Sequence, residues 1–401
     1  MKKVLFITSA TGIGGTEKVL HAILNLIDKN KYAVSVFSIS DDCDGLKDIN
    51  GIKCIHRPLI YNASQSGFQE ALKISLKSKS FKVLFDSAKY FIKYHINHCE
   101  QLFVDWWYSF KNDFPQIEGE YDVAVAFGGG MTIPVALEKV RANKKILWIN
   151  FDIEKFYEGY STGLKSFYNS QIPVFDRIVT VTKSCYNSFI RQFKSSVLKE
   201  KVSIIKDVYD IDAAVEMSNE SITLPSNVKR PLILTVGRLS PEKGYDMLIK
   251  AAKILKDKGL TFTWLIVGNG DQSHYQEEIS LKDVKGYVQL VGAKMNPYPY
   301  YKACDFYVQT SLHEGNCLTL SEGLIFKKPC VSTDFPAAKE KIDDGINGLL
   351  TQMNPESIAQ AVEKLILNED DLREKLVVNI EVNLYSNNNE LEKIYALLED
   401  E

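Results

Sequence analysis

The chain has 401 residues, 45% of them hydrophobic and 25% charged, an ordered-protein composition long enough for two or three domains at roughly 150 residues each. Lys and Arg total 48 against 51 Asp and Glu, which argues against broad nucleic-acid binding, though a local basic patch fits the same balance. No run reaches the roughly 18 apolar residues of a membrane-crossing helix. The seven cysteines form no CxxC pair, so neither a zinc site nor a disulfide frame is expected, and reduced thiols point to a cytoplasmic location.

From the N-terminus, the apolar run Val4 to Ile7 is too short for a signal peptide and reads as a buried first strand. A glycine-rich turn follows, then a helical pattern from about Thr16 to Asp28 with Leu20, Ile23, Leu24 and Ile27 on one face. Val34 to Ile39, Val123 to Phe127, Ile146 to Ile149 and Ile178 to Val181 read as further strands. Residues 62–115 carry no strand signal and read as a helical insertion; 206–230 are polar and read as a linker. A second series starts at Leu232 to Val236 and a helix from Tyr245 to Leu255. Strands follow at Thr263 to Val267, Val288 to Val291 and Phe306 to Gln309, then a helix from Leu318 to Phe326. Strands at Pro329 to Ser332 and Gly348 to Leu350 complete it, and Leu391 to Leu398 fits a terminal helix in a 376–401 tail. The alternation predicts an α/β protein with two Rossmann-like, doubly wound parallel-sheet domains, 1–205 and 231–375, facing a cleft at the carboxyl ends of their strands.

Three constellations sit at such strand ends. Thr11 to Glu17 holds Gly12, Gly14 and Gly15 at a helix start. Glu17 stands where a dinucleotide fingerprint needs glycine, and no Gly-Lys-Ser/Thr closes a P-loop. A nicotinamide enzyme is therefore disfavoured, and a tight βα turn or a loop facing a ligand both fit. Val236 to Gly244 follows a strand and carries Arg238 and Lys243 beside Ser240-Pro241, an N-cap followed by a first helical position. Two cations there suit a diphosphate, a fork and a point charge, although a solvated basic turn fits equally. The chain has only seven Arg, so one at this position is notable. His313 to Gly323 follows another strand and opens a helix. Glu322 is suited to accept hydrogen bonds from a sugar diol, and the amides at Asn316, Cys317 and Leu318 sit at a helix N-terminus. Glu314 and Glu322 also fit two carboxylates capping one helix.

Together, Gly237-Arg-Leu-Ser-Pro-Glu-Lys-Gly244 and Glu314-x7-Glu322 resemble the two donor-site signatures of family 4 (group 1) glycosyltransferases of the GT-B fold, particularly the bacterial capsular and exopolysaccharide branch. Val267 to Asp271, Asn296-Pro297-Tyr298, Ala303 to Asp305, Thr333 to Glu340 and Asp344 to Gly348 add to the resemblance, which covers most of 231–351. The N-terminal resemblance rests on Gly14-Gly15 and Tyr121 to Val123.

The resemblance implies a metal-independent transferase, usually retaining, that takes a UDP- or GDP-sugar donor and no cofactor. Its acceptor would be a glycan or lipid-linked saccharide in cell-surface polysaccharide biosynthesis. It implies that Arg238 and Lys243 bind the diphosphate in place of a metal ion. Glu322 would hold the ribose hydroxyls, and Glu314 would lie near the transferred sugar with the amides of Asn316, Cys317 and Leu318. Gly14 and Gly15 would approach the donor phosphate from the first domain. Related capsular enzymes often carry Trp-Ile-His-x-Asp. Here the stretch reads Trp148-Ile149-Asn150-Phe151-Asp152, so Asn150 replaces a titratable His with an amide. Asn150 and Asp152 are the candidate acceptor-side residues, Asp152 equally a helix cap.

Residues 68–94 hold six Lys against Glu70 and Asp86, interleaved with Leu, Phe, Val and Ile. That pattern fits either a peripheral contact with the inner membrane face or a helix packed on the first domain with a solvated Lys face. Trp106-Trp107-Tyr108 fits an acceptor wall or ordinary core. Two rival functions remain: a GT-B-like nucleotide-sugar epimerase or hydrolase, and a catalytically inactive nucleotide-sugar-binding partner subunit.

Overall fold

The computed structural model describes residues 1–12, 14–41, 43–55, 104, 107–108, 111–112, 114–158, 162–382 and 387–400. The expected membrane-facing stretch 68–94, nearly all of the 62–115 insertion, and Trp106 lie outside them. Of the aromatic trio, Trp107 is core: it is fully buried, stacks on Phe114 and donates from its indole N–H to Glu138 at 3.0 Å. Tyr108 is exposed. No helix among the described residues is long and apolar enough to cross a membrane.

The chain divides into two compact units, 1–208 with 388–401, and 209–387. The first holds a seven-stranded sheet: β1 Lys2–Thr8, β2 Tyr32–Ser38, β3 Ile52–Cys54, β4 Glu120–Phe127, β5 Arg141–Ile149, β6 Arg177–Thr180 and β7 Val202–Ile204. The second holds six strands: β8 Leu232–Val236, β9 Thr263–Val267, β10 Val288–Gly292, β11 Phe306–Gln309, β12 Cys330–Thr333 and β13 Leu349–Thr351. The spatial orders are β3-β2-β1-β4-β5-β6-β7 and β10-β9-β8-β11-β12-β13, and every pairing is parallel. In both orders the winding reverses beside the first strand, at β1/β4 and at β8/β11, which is where doubly wound sheets leave a ligand crevice.

The second sheet shows why its strands read as unbroken apolar runs. Successive residues face opposite sides. Ile233, Trp264, Ile266, Phe306 and Val308 join one core with the helix Tyr245–Asp257. Leu232, Leu234, Val236, Leu265, Val267 and Tyr307 join another with the helix Leu318–Ile325. With both faces covered, nearly every position must be apolar.

The unit boundaries depart from the sequence reading. The stretch read as a linker, 206–230, lies largely inside the second unit. It contains the helix Ile211–Met217, and Ile222, Leu224 and Val228 pack on that unit's core. The tail read as 376–401 is split. Leu376 and Ile380 are buried in the second unit, while the helix Asn388–Glu399 belongs to the first. It is tied there to the amino ends of the strands: Tyr32 donates to Glu399 at 2.7 Å, Arg177 pairs with Asp400 at 2.6 Å, and Tyr395 stacks on Tyr32.

Candidate functional site

In the second unit the chain leaves the buried β8 through Gly237, whose N–H still donates to Val267 O at 3.0 Å. Leu239 N–H donates to Asn269 O at 2.6 Å, and Leu239 bridges Gly270 in parallel. The turns after β8 and β9 are thereby zipped together, which needs glycine: a Cβ at 268 would lie 1.8 Å from Gly237 O. The turn Pro241–Lys243 is a short 3-10 segment ended by Gly244 at φ 66. Ser240 precedes it without capping it. Its hydroxyl donates instead to Glu242 at 2.6 Å, and Arg238 pairs with the same carboxylate at 2.8 Å.

Burial would raise the Glu242 carboxyl, but the hydrogen bonds from Ser240 and Arg238 outweigh it and hold it down at about 2. Glu242 therefore adds stability that is full above the ordinary carboxylate range and is lost as pH falls toward 2. In Ser240→Ala the folded-state value rises, so that contribution is smaller at neutral pH and its loss is complete at a higher pH. Acid unfolding followed by circular dichroism checks this, and an unshifted acid limb contradicts it.

Lys243 turns inward and donates to Glu314, with only 17% and 15% of the two side chains exposed. Burial alone would lower the Lys243 pKa; the Glu314 carboxylate outweighs it and raises it. Glu314 is brought there by the turn after β11. Thr310 donates to Lys243 O at 2.8 Å, Leu312 N–H to Glu242 O at 2.8 Å, and Thr333 to Ser311 O at 2.6 Å. Three strand ends thus hold one another, and the Ser311 hydroxyl donates to Glu314 at 2.7 Å.

The turn then reaches the helix Leu318–Ile325. Cys317 stands before it in the left-handed region at φ 57, and its carbonyl accepts from Leu320 and Ser321. Asn316 and Cys317 are buried. Burial pushes the Cys317 thiol up to about 12, which disfavours the nucleophilic thiolate. Leu318 opens the helix, whose first amides have no partner within it. Glu322, 5% exposed, lies one turn further along. Burial first, and then the charge of Glu322, raises the hydroxyl pKa of Tyr298; for Tyr301 burial comes first, then Tyr307 and Glu322. The structure thus places Arg238, Lys243, Glu314, Asn316, Cys317, Leu318 and Glu322 at the carboxyl-end crevice of β8 and β11.

The candidates in the first unit are placed less openly. Gly14 caps and Gly15 starts the helix Gly15–Leu26. The helix's own Glu17 folds back over it, its carboxylate 2.1 Å from where a Gly14 Cβ would be. An external anion at this turn would compete with that carboxylate. Asn150 directly follows β5, but both amide atoms are buried with no hydrogen-bond partner among the described residues. Asp152 accepts from the N–H groups of Glu154 and Lys155 at 3.0 and 3.2 Å and from Ser188 at 2.5 Å. It therefore caps the helix Ile153–Glu158 and ties it to the helix Lys183–Phe193.

The sequence reading passed over three features of this unit. Gly128-Gly129-Gly130 follow β4 at the winding reversal, with φ 95 at Gly128 and 70 at Gly130. A Cβ at Gly128 would lie 3.6 Å from Thr16, so the triplet adjoins the Gly14 turn. Asp41 fastens the loop after β1 by accepting from Thr11 N–H and Oγ1 at 2.7 and 2.8 Å. His21 meets Thr11 O at 3.2 Å. Three consecutive glycines after a strand were the available signal; Asp41 and His21 gave none.

Among the described residues no group of three His, Cys, Asp or Glu is placed to hold a metal ion. Residues 217–382 match the model of the family "Glycosyl transferases group 1". They are a group 1 glycosyltransferase domain. An uncharacterized Haemophilus influenzae glycosyltransferase is 24% identical over 388 residues, 92% of each chain. The Campylobacter jejuni N-acetylgalactosamine-N,N'-diacetylbacillosaminyl-diphospho-undecaprenol 4-alpha-N-acetylgalactosaminyltransferase is 29% identical over 203 residues, 50% of this chain and 53% of that one. The chain spans about half the length of several curated relatives that it matches, with 52%, 48% and 53% covered in three of them. The crystal structure of Anabaena Alr3699/HepE in complex with UDP and glucose superposes with a TM-score of 0.69 at 16% identity, covering 99% of both chains. With two parallel-sheet units of like winding, the chain has the GT-B fold of these glycosyltransferases.

Proposed function

We propose that the protein transfers a sugar from a nucleotide-sugar to a glycan or lipid-linked acceptor in cell-surface polysaccharide biosynthesis. The observation that carries this is the meeting of Lys243, Glu314 and the Leu318 helix start at the β8/β11 crevice, inside the 217–382 family match. An ammonium has three donors. Glu314 takes one, leaving the others for a diphosphate, and the exposed Arg238 adds a planar fork. In this proposal the two cations serve in place of a metal ion, Glu322 receives the ribose hydroxyls, and the reaction proceeds with retention. The UDP and glucose bound by the Anabaena protein support UDP ahead of GDP. The diphospho-undecaprenol acceptor in the name of the Campylobacter relative supports a lipid-linked acceptor, which would bring the enzyme to the inner membrane face.

Arg238→Ala is expected to remove charge-assisted hydrogen bonds worth about 1.5–3 kcal/mol, weakening nucleotide-sugar binding by about 10- to 150-fold. Calorimetric titration checks this, and unchanged affinity contradicts the role. A second reading, a nucleotide-sugar-binding subunit without turnover, is favoured by the buried Asn150 amide and the capping role of Asp152. Binding without transfer to any membrane-derived acceptor would select it.

A further inference from the structure

The Glu314 carboxylate is the end of a buried hydrogen-bond chain. An ionised carboxylate only accepts. The Ser311 hydroxyl, 2.7 Å away, must therefore spend its single hydrogen on Glu314. Its oxygen must then accept, and the group facing it at 2.6 Å is the Gln309 side-chain amide nitrogen. That fixes the amide with its oxygen toward Tyr307 and Thr319, whose hydroxyls both donate to it, Thr319 at 3.0 Å. The polarity is thus dictated from end to end. Gln309, Ser311 and Tyr307 are each at most 1% exposed, so no water substitutes for a missing partner. Gln309 is also the last residue of β11, and Thr319 lies in the first turn of the helix Leu318–Ile325. One side chain therefore links the strand end, the helix start and the carboxylate that holds Lys243.

We propose that Gln309 is a positioning residue: through Ser311 it fixes the Glu314 carboxylate on Lys243 and so sets the cation that receives the donor diphosphate. This rests on the transfer reading above for the ligand, but not for the link between Gln309 and Glu314. An amide can accept two hydroxyl hydrogens through its oxygen and donate one to Ser311 through its nitrogen, as Gln309 does here. The residue is expected to act only through Glu314.

The test is a double-variant cycle on the full chain, with UDP-glucose and GDP-mannose as probes in calorimetry. Gln309→Met keeps the side chain's size and removes both its donor and its acceptor. It is expected to weaken binding of the accepted probe by about tenfold when Glu314 is present, and by under about twofold in Glu314→Ala, because members of one network do not act additively. Ser311→Ala is expected to show the same dependence on Glu314 and stands in if Gln309→Met does not fold. Equal factors in the two backgrounds would overturn the proposal by showing Gln309 to be packing alone. The cycle is repeated on the urea midpoint, which needs no nucleotide. If the unaltered chain binds neither probe, the transfer reading fails. The urea cycle then decides the link: a double variant less destabilised than the sum of the singles supports it, and additive effects overturn it.

Discussion

Lys243→Met is expected to abolish nucleotide-sugar binding and to lower the stability of the second unit by about 3–5 kcal/mol. The reason is the burial of its partner. With the ammonium gone, Glu314 stays 15% exposed, with the Ser311 hydroxyl still on it and no counter-charge. Breaking a buried pair from one side leaves a charge that neither water nor protein neutralises. Glu314→Gln differs. The amide oxygen still accepts from Lys243 or Ser311, so the ammonium loses its counter-charge but keeps an acceptor, and the loss is expected to be smaller than for Lys243→Met. Urea unfolding of the three proteins checks the order. Equal stability of Lys243→Met and the unaltered chain would mean that the pair does not form in solution.

Gly268→Ala is expected to be nearly as damaging, although it adds one methyl group. That methyl would lie 1.8 Å from Gly237 O and 2.8 Å from Gly237 C. Both are backbone atoms, with no rotamer available to relieve the clash. The turns after β8 and β9 would have to part, losing the Leu239 N–H bond to Asn269 O and displacing Arg238 beside it. Overpacking and a broken backbone bond together predict a loss of about 2–4 kcal/mol and weakened nucleotide binding. Gly286→Ala is the control, because a Cβ there meets nothing within 4 Å. Thermal melting of the two variants checks the contrast, and equal melting temperatures contradict the zipped-turn account.

The parts of the fold that were legible are those whose burial is complete. Leu232–Val236, Thr263–Val267 and Phe306–Gln309 are sheet-centre strands covered on both faces, and their largely apolar stretches nearly coincide with the strands themselves. Edges and half-exposed stretches were not legible. Ile52–Cys54 and Val202–Ile204 are three-residue edge strands, too short to alternate. β5 starts at Arg141, whereas the apolar signal starts at Ile146, because none of its first five residues is buried. The helix Gln272–Leu281 buries only Tyr275 and Ile279, which leaves little periodicity to read.

The site divides in the same way. Arg238, Lys243, Glu314 and Glu322 stand out because charged residues follow apolar strands there. That Lys243 and Glu314 meet depends on β8 and β11 being neighbours in space, 71 positions apart at the pair. Gln309 ends an apolar strand as an unremarkable polar residue, and its partners become visible only when Thr319 and Ser311 are folded around it. Asn150 and Asp152 show the converse. Each has a residue type suited to a sugar hydroxyl, yet one amide is enclosed and the carboxylate caps a helix.

The central claim is that Lys243, joined by Arg238, makes a donor-diphosphate site in the second unit. The most direct measurement is a calorimetric titration of the full chain with UDP-, GDP- and ADP-sugars in excess chelator, repeated with Arg238→Ala and Lys243→Met. The account predicts that one nucleotide-sugar binds the unaltered chain with chelator present, more weakly by about 10- to 150-fold in Arg238→Ala and not measurably in Lys243→Met. Binding of none of them, or binding that survives the loss of Lys243, would contradict it.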